Sequence, residues 1–333
     1  MTTIQEVSKL AGVSVATVSR TLSMPDKVSP KTREKVHAAI AKTNYRPNVL
    51  ARNFRTRKAL AIVVLVPDIA NSFFSRVIRG IEQAAQKKGY SVLLGDTQGL
   101  AEREYTYANM VKTSQADGII QLHAHIPFEN EADLSLPLVN ACDCVRDAGI
   151  PTVQLDNAAA AKSMTEHLIS LGHTRIAAIQ GPSDSPITQD RLRGYQEALR
   201  ENNLEVDTSL VGTGDFSLAS GEAAARGLMT HPSRPTALFC FSDEMAFGAI
   251  HHIKSLGLSV PGDISVAGFD DISFAAYCDP PLTTISQPAE EFGTMAMSML
   301  YDIINHAPPE SLNHYLPHKL ICRQSSGPVN PAR

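Results

Sequence analysis

Gly12-Val13-Ser14-Val15-Ala16-Thr17-Val18-Ser19-Arg20 decides how the first 58 residues fold. Gly12 is placed to end a helix in the left-handed backbone region, where a missing Cβ removes the steric cost. Ser14 is suited to cap a second helix, predicted from Val15 to about Leu22. Upstream, Thr3-Ile4-Gln5-Glu6 has the spacing of a capping box. Ile4, Val7, Leu10 and Ala11 then recur at helical intervals. Downstream, Ser29-Pro30 opens a third helix with Ser as cap and Pro at the first helical position. Val36, Ala39 and Ile40 give that helix a core face. Two short helices joined by a Gly-containing turn form a helix-turn-helix unit.

In such a unit the second helix enters the DNA major groove and reads bases from its N-terminal half. Val18 and Leu22, four apart, are expected to pack on the first helix, while Ala16 and Arg20 share another face. Arg20 is a natural bidentate donor to guanine O6 and N7; the alternative is a phosphate contact. Val15 and Ala16 suit a thymine methyl or a close approach to the groove, although Val15 could instead belong to the core. Ser14, Thr17 and Ser19 can reach phosphates, which fixes position without reading sequence.

Charge agrees with this. The first 58 residues hold 12 Lys+Arg against three Asp+Glu, whereas the remainder holds 18 against 31 and the whole chain is −4. A basic head on an acidic body points to nucleic-acid binding confined to one end. With 333 residues, two or three domains are expected. A content of 43% hydrophobic and 19% charged residues is that of an ordinary water-soluble globular chain. No apolar run is long enough for a membrane span, and Met1–Glu6 lacks an apolar signal core, so a cytoplasmic protein with no membrane partner is expected. The five cysteines lack the spacing of a zinc knuckle or a redox pair and are expected to be reduced.

Pro47 opens a short segment in which Leu50 and Phe54 share a face. It is too short to be a stable helix alone. From Leu60 the texture changes to apolar runs of strand length alternating with helical stretches. Runs 60–67, 91–94, 118–122, 137–140, 152–155, 175–179, 236–241 and 264–269 read as strands, the first apolar enough to be buried on both faces. Such alternation indicates doubly wound parallel sheets, with ligands outside the carboxyl ends of the strands.

The head sequence, with Val28-Ser29-Pro30-Lys31-Thr32-Arg33-Glu34-Lys35-Val36 and Asn44-Tyr45-Arg46-Pro47-Asn48, resembles the signature of the lactose/galactose repressor (LacI/GalR) family. The resemblance continues through landmarks such as Val66-Pro67-Asp68, Ser72-Phe73-Phe74, Arg191-Leu192-Arg193-Gly194-Tyr195, Gly214-Asp215-Phe216, Gly268-Phe269-Asp270-Asp271 and Pro281-Leu282-Thr283-Thr284-Ile285. It implies an N-terminal all-α helix-turn-helix head with a hinge helix. Behind them it implies an α/β core of two doubly wound parallel-sheet lobes, periplasmic-binding-protein-like, joined by three crossovers. The implied domains are a head over 1–46, a hinge and linker over 47–58, and an effector-binding and dimerisation core over 59–333. Within the core, lobe 1 takes about 59–157 and 288–317, and lobe 2 about 158–287 and 318–333.

The resemblance further implies that the hinge folds beside its twin in the minor groove, with Asn48, Leu50, Ala51, Phe54 and Arg55 contacting DNA. Phe54 stands at the wedge position, where the family usually has Leu; an apolar wedge kinks DNA at the cost of unstacking. Carried over by position, Phe73, Arg191, Phe216 and Asp270 are the implied effector-pocket residues, with Ser242 a further candidate at the cleft rim. The Phe rings offer flat faces for a base or sugar, and Arg191 and Asp270 offer opposite charges for polar groups. Ser185 stands where purine-binding members carry an Arg, which argues against a purine. Val66-Pro67-Asp68-Ile69, Ile78-Arg79-Gly80-Ile81-Glu82 and Tyr277-Cys278-Asp279-Pro280-Pro281 resemble a nucleoside-responsive member, so a nucleoside such as cytidine is the implied effector. A sugar remains the alternative.

The implied partners are a pseudo-palindromic double-stranded operator, a second copy of the chain as a homodimer, and room for a second transcription regulator beside it. The leucine-heptad tail with which some members tetramerise is not found in Gln324–Pro328. No phosphate-cradling Gly-rich loop or catalytic constellation is found, so no enzyme activity and no cofactor are expected. His123-Ala124-His125 and His251-His252 have no acidic or Cys partner at helical spacing, and surface or internally satisfied histidines are expected there rather than a metal site. A solute-binding protein and an enzyme carrying a DNA-binding head are the rival classes.

Overall fold

The computed structural model describes residues 3–45, 58–307 and 310–330. The chain divides into two compact units, Met1–Ala59 and Leu60–Arg333.

In the first unit, α1 (Ile4–Ala11), α2 (Val15–Ser23) and α3 (Pro30–Thr43) follow the sequence reading closely. The capping box forms: the Glu6 amide donates to the Thr3 hydroxyl at 3.4 Å and the Thr3 amide to the Glu6 carboxylate at 3.1 Å. Gly12 ends α1 at φ 66°, a conformation that costs an L side chain but not glycine. The Ser14 hydroxyl accepts from the Thr17 amide at 3.1 Å. Val7, Ala11, Val18, Val36 and Ala39 form the small core, with Leu22 and Ile40 packed at its edge.

The second unit holds two six-stranded sheets. The first contains β1 (Ala61–Val66), β2 (Ser91–Asp96), β3 (Ile119–Gln121), β4 (Leu138–Ala141), β5 (Thr152–Leu155) and β11 (Asn313–Leu316), in the order β11-β5-β4-β3-β1-β2. Every pairing in it is parallel. The second contains β6 (Ile176–Gln180), β7 (Val211–Thr213), β8 (Ala237–Cys240), β9 (Ser265–Asp270), β10 (Thr283–Ser286) and β12 (Lys319–Ile321), in the order β12-β10-β9-β8-β6-β7. Here only β12 runs antiparallel to its neighbour β10. The chain passes between sheets after β5, after β10 and after β11. Ile62 to Val66 are all buried, as a strand covered on both faces requires.

Four strands were not among the runs read from sequence: β7, β10, β11 and β12. Edge positions explain β7, β11 and β12, which are short and only partly buried. β10 reads Thr-Thr-Ile-Ser yet is central, because its hydroxyls find internal partners. Thr284 donates to Asp243, and Thr283 meets the Ser326 hydroxyl at 2.8 Å.

Helices cover the sheets in tight pairs: α4 (Ser72–Lys87) on α10 (Ala289–Ile304), α6 (Asn157–Ser170) on α7 (Pro186–Glu201), and α8 (Leu218–Met229) on α9 (Asp243–Ser255). α5 (Ala101–Lys112) packs on β1 and β2. Gly194 of α7 lies so close to α6 that a Cβ would collide with the Ala158 carbonyl. The obstacle is backbone and cannot swing aside. Gly194→Ala should therefore lower the stability of the core by about 1–2 kcal/mol, read from the denaturant midpoint. An unchanged midpoint would mean that the two helices separate freely.

Candidate effector cavity and DNA-reading helix

On α2, Val15, Ala16 and Arg20 are exposed while Val18 is fully buried. Val15 is 38% exposed, which places it outside the core and removes that alternative. The Ser14 hydroxyl is engaged by the Thr17 amide and hydroxyl, so its role within the fold is to cap α2. The Ser19 backbone carbonyl accepts from the Ser23 hydroxyl, leaving the half-buried Ser19 side chain beside Arg20. Asn48, Leu50, Ala51, Phe54 and Arg55 lie outside the described residues.

In the second unit a cavity of about 580 Å³ opens where the strands of both sheets end. Its walls come from segments after β1, β2, β3 and β4 on one side, and after β6, β7, β8 and β10 and at the end of β9 on the other. That is where open α/β sheets place ligands, and the size suits a small molecule. Phe73, Arg191, Phe216, Ser242 and Asp270 all line it.

Their individual environments differ from the sequence picture. Phe73, in the first turn of α4, packs edge-on against Phe74 and Phe292 and is largely core. Phe74 is the less buried neighbour and offers aromatic surface beside it; sequence reasoning passed over it. Phe216 lies against Gly181, where any Cβ would strike its ring. The Ser242 hydroxyl caps α9 by accepting from the Met245 amide at 3.2 Å, and it donates to the Phe216 carbonyl at 3.2 Å.

Arg191 is 3% exposed. Its Nε donates to the Asn157 side-chain oxygen at 2.9 Å, its Nη1 donates to the Phe241 carbonyl, and its guanidinium stacks 3.6 Å from the centroid of Phe269. Burial brings its pKa down to about 10 against the pull of Asp270 and neighbouring carboxylates. Much of the guanidinium is thus occupied by the protein, rather than presented whole to a ligand. Burial pushes Asp270 up to about 7, even though Arg191 and a 2.6 Å hydrogen bond from Gln287 favour its charged form. Asp271, next in sequence, turns away and pairs with Arg323 at 2.7 Å.

Further lining residues come from sequence-distant segments: Asp68, Asp143, Asp184, Asp215 and Glu244. The Ser185 hydroxyl donates to Asp143 at 3.0 Å, and the Ser72 amide donates to Glu244 at 3.2 Å. Each of these bonds ties one sheet's layer to the other across the cavity. The histidines also read differently in three dimensions. Glu104 of α5, remote in sequence, sits against both His123 and His125.

The comparisons with known proteins follow this division. Residues 3–48 match the family described as bacterial regulatory proteins, lacI family, and residues 165–326 match a periplasmic binding protein-like domain. The chain is 41% identical to the HTH-type transcriptional repressor CytR of Escherichia coli strain K12, over 97% of this chain and 96% of that protein. The chain belongs to the lacI family of bacterial regulatory proteins. It is a DNA-binding transcriptional regulator of that family. It is also 35% identical to catabolite control protein A of Priestia megaterium over 97% of this chain and 99% of that one. Among solved structures, the lac repressor dimer bound to operator and the anti-inducer ONPF superposes with a TM-score of 0.87, at 29% identity over 98% of this chain and 99% of that chain. A complex of the transcriptional regulator CelR with cellobiose gives 0.75, at 31% identity over 98% and 100%. The fold of a helix-turn-helix head and a two-sheet, periplasmic-binding-like core is common to this family. Among the described residues no helix is long and apolar enough to cross a membrane.

Proposed function

We propose that this lacI-family member is a cytoplasmic repressor whose operator affinity is switched by a nucleoside such as cytidine bound in the interlobe cavity. The head is residues 1–46, the hinge 47–58 and the core 59–333. Two copies place their α2 helices in successive major grooves of a pseudo-palindrome, since a two-fold dimer matches a two-fold site. Val15, Ala16 and Arg20 face the bases. Ser14, Thr17 and Ser19 face phosphates, and Phe54 wedges the central step of the operator with Asn48, Leu50, Ala51 and Arg55 around it.

The observation that carries the effector reading is the composition of the cavity. Among the described residues six carboxylates line it against a single guanidinium, two of whose three nitrogens donate to the protein. Aromatic faces of Phe74 and Phe216 accompany them. Such walls favour a neutral, flat, hydroxyl-bearing ligand and disfavour a phosphate, which would enter a field of its own sign. The likeness to CytR adds to this reading. A ligand of this kind changes DNA affinity only by binding one lobe arrangement better than another.

Isothermal titration with cytidine, cytidine monophosphate, adenosine, ribose and galactose checks it. Cytidine should bind, with the monophosphate weaker by about 100-fold or more. Heat from ribose or galactose and none from any nucleoside would return the sugar-responsive reading and overturn this one.

A further inference from the structure

Glu104 is 1% exposed, and its carboxylate lies against His123 and His125, which line the cavity. Its two oxygens face two imidazoles. One meets Nδ1 of His125 in a short hydrogen bond, and the other lies 3.5 Å from Nδ1 of His123. A buried carboxylate left alone would be strongly disfavoured. Its own burial pushes Glu104 up, yet the bonds from His123 and His125 outweigh that and hold it below the usual range. Glu104 in turn pushes His123 up, with Asp143 and Asp184 adding to it against the opposing effect of burial.

The loop that carries these histidines is fixed rather than loose. The His125 amide donates to the His123 carbonyl at 2.8 Å. The side-chain amide of Asn140, itself buried, reaches the carbonyls of Gln121, His123 and Asp143 at 3.0–3.2 Å. The ring of Tyr105 leans on His125, with centroids 6.0 Å apart. Both His123 and His125 line the cavity. With Nδ1 of each turned to Glu104, Nε2 is the ring nitrogen left for a ligand; it accepts on a neutral ring and donates on an imidazolium, the form that a facing carboxylate favours. Among the described residues no group of three His, Cys, Asp or Glu is arranged to hold a metal.

The rest of the cavity wall is rich in hydrogen-bond acceptors. Its carboxylates suit ribose hydroxyls and amino groups, while the amide and hydroxyl donors of Gln98, Gln287, Ser185, Ser217 and Ser242 already bond within the protein. Among the described residues lining the cavity there is one guanidinium, and it spends two of its three nitrogens on the protein. We infer that Glu104, His123 and His125 form a specificity element in which the buried carboxylate orients two imidazoles so that an Nε2–H donates to an acceptor on the pyrimidine ring of the effector. Glu104 is a positioning residue, and the histidines touch the ligand. This assignment rests on the nucleoside reading above and extends it by naming which groups read the base.

Ligand pairs that differ in one acceptor test it. 3-Deazacytidine lacks the ring N3 acceptor, and 2-thiocytidine replaces the O2 carbonyl by a poorer acceptor. With the full-length protein, at least one analogue should bind about tenfold weaker than cytidine. In His123→Phe/His125→Phe that ratio should fall to about one, and His123→Gln/His125→Gln, which keeps a hydrogen-bonding end, should restore part of it. In Glu104→Gln the ratio should shrink, and the 13Cε1 resonance of His123 should move toward the neutral form at pH 7. A merely structural role would weaken every ligand alike and leave the ratios intact. Unchanged ratios in both histidine variants would overturn the assignment while cytidine binding itself stands. Failure of the unaltered protein to bind any nucleoside would overturn the underlying reading.

Discussion

Arg20→Ala is expected to weaken operator binding by roughly 1–3 kcal/mol and to relax the base preference at one position of each half-site. The side chain stands exposed on α2, on the face it shares with Ala16, while Val18 and Leu22 hold the other face to the head core. A guanidinium in that place can donate two parallel bonds to guanine O6 and N7, and Ala can donate none. The measurement is a binding titration on the operator, on an operator with the candidate guanine replaced, and on random DNA. Loss confined to the operator supports base reading. Equal loss on random DNA would instead make Arg20 a phosphate contact, which contributes to affinity without sequence information.

Arg191→Met is expected to cost the core roughly 3 kcal/mol and to abolish effector binding. The change keeps an unbranched apolar stem near Phe269 but deletes the guanidinium. The Asn157 side-chain oxygen and the Phe241 carbonyl then lose their donors inside the protein. Asp270, already pushed up to about 7 by burial, loses the charge that most favours its ionised form, and its pKa should rise further. Denaturant unfolding of the core and calorimetric titration with cytidine check the two halves. Arg191→Lys should fare little better, because an ammonium cannot both stack flat on Phe269 and reach two acceptors at fixed angles. Full stability with lost binding would mean that Arg191 belongs to the ligand alone; lost stability with normal binding would remove it from the site.

The head was legible almost residue by residue because its signals are local. A cap, a glycine turn and apolar spacing act within four residues, and α1, α2 and α3 follow them. The buried strands of the core were legible for the same reason, since Ala61–Val66 can be little else. What escaped depends on contacts between distant segments. β10 carries two threonines inside a sheet, and bonds to Asp243, Ser326 and the Arg323 amide make that tolerable. The His123–His125 pair looked unpartnered because Glu104 reaches it through the packing of α5, with no helical spacing linking them. Arg191 looked like a group offered to a ligand because one of its main partners is a backbone carbonyl, which leaves no trace in a sequence pattern. The expectations on Asn48, Leu50, Ala51, Phe54 and Arg55 came from resemblance and lie outside the described residues.

The claim that a nucleoside in the cavity controls the head is tested most directly by titrating the full-length protein onto its operator with and without saturating cytidine, at two salt concentrations. The operator affinity should shift by about 5–150-fold when cytidine is present, the size of a typical coupling between two sites. Affinity should also fall steeply with salt in both series, as phosphate contacts require. Superimposable titrations with and without cytidine would contradict the account.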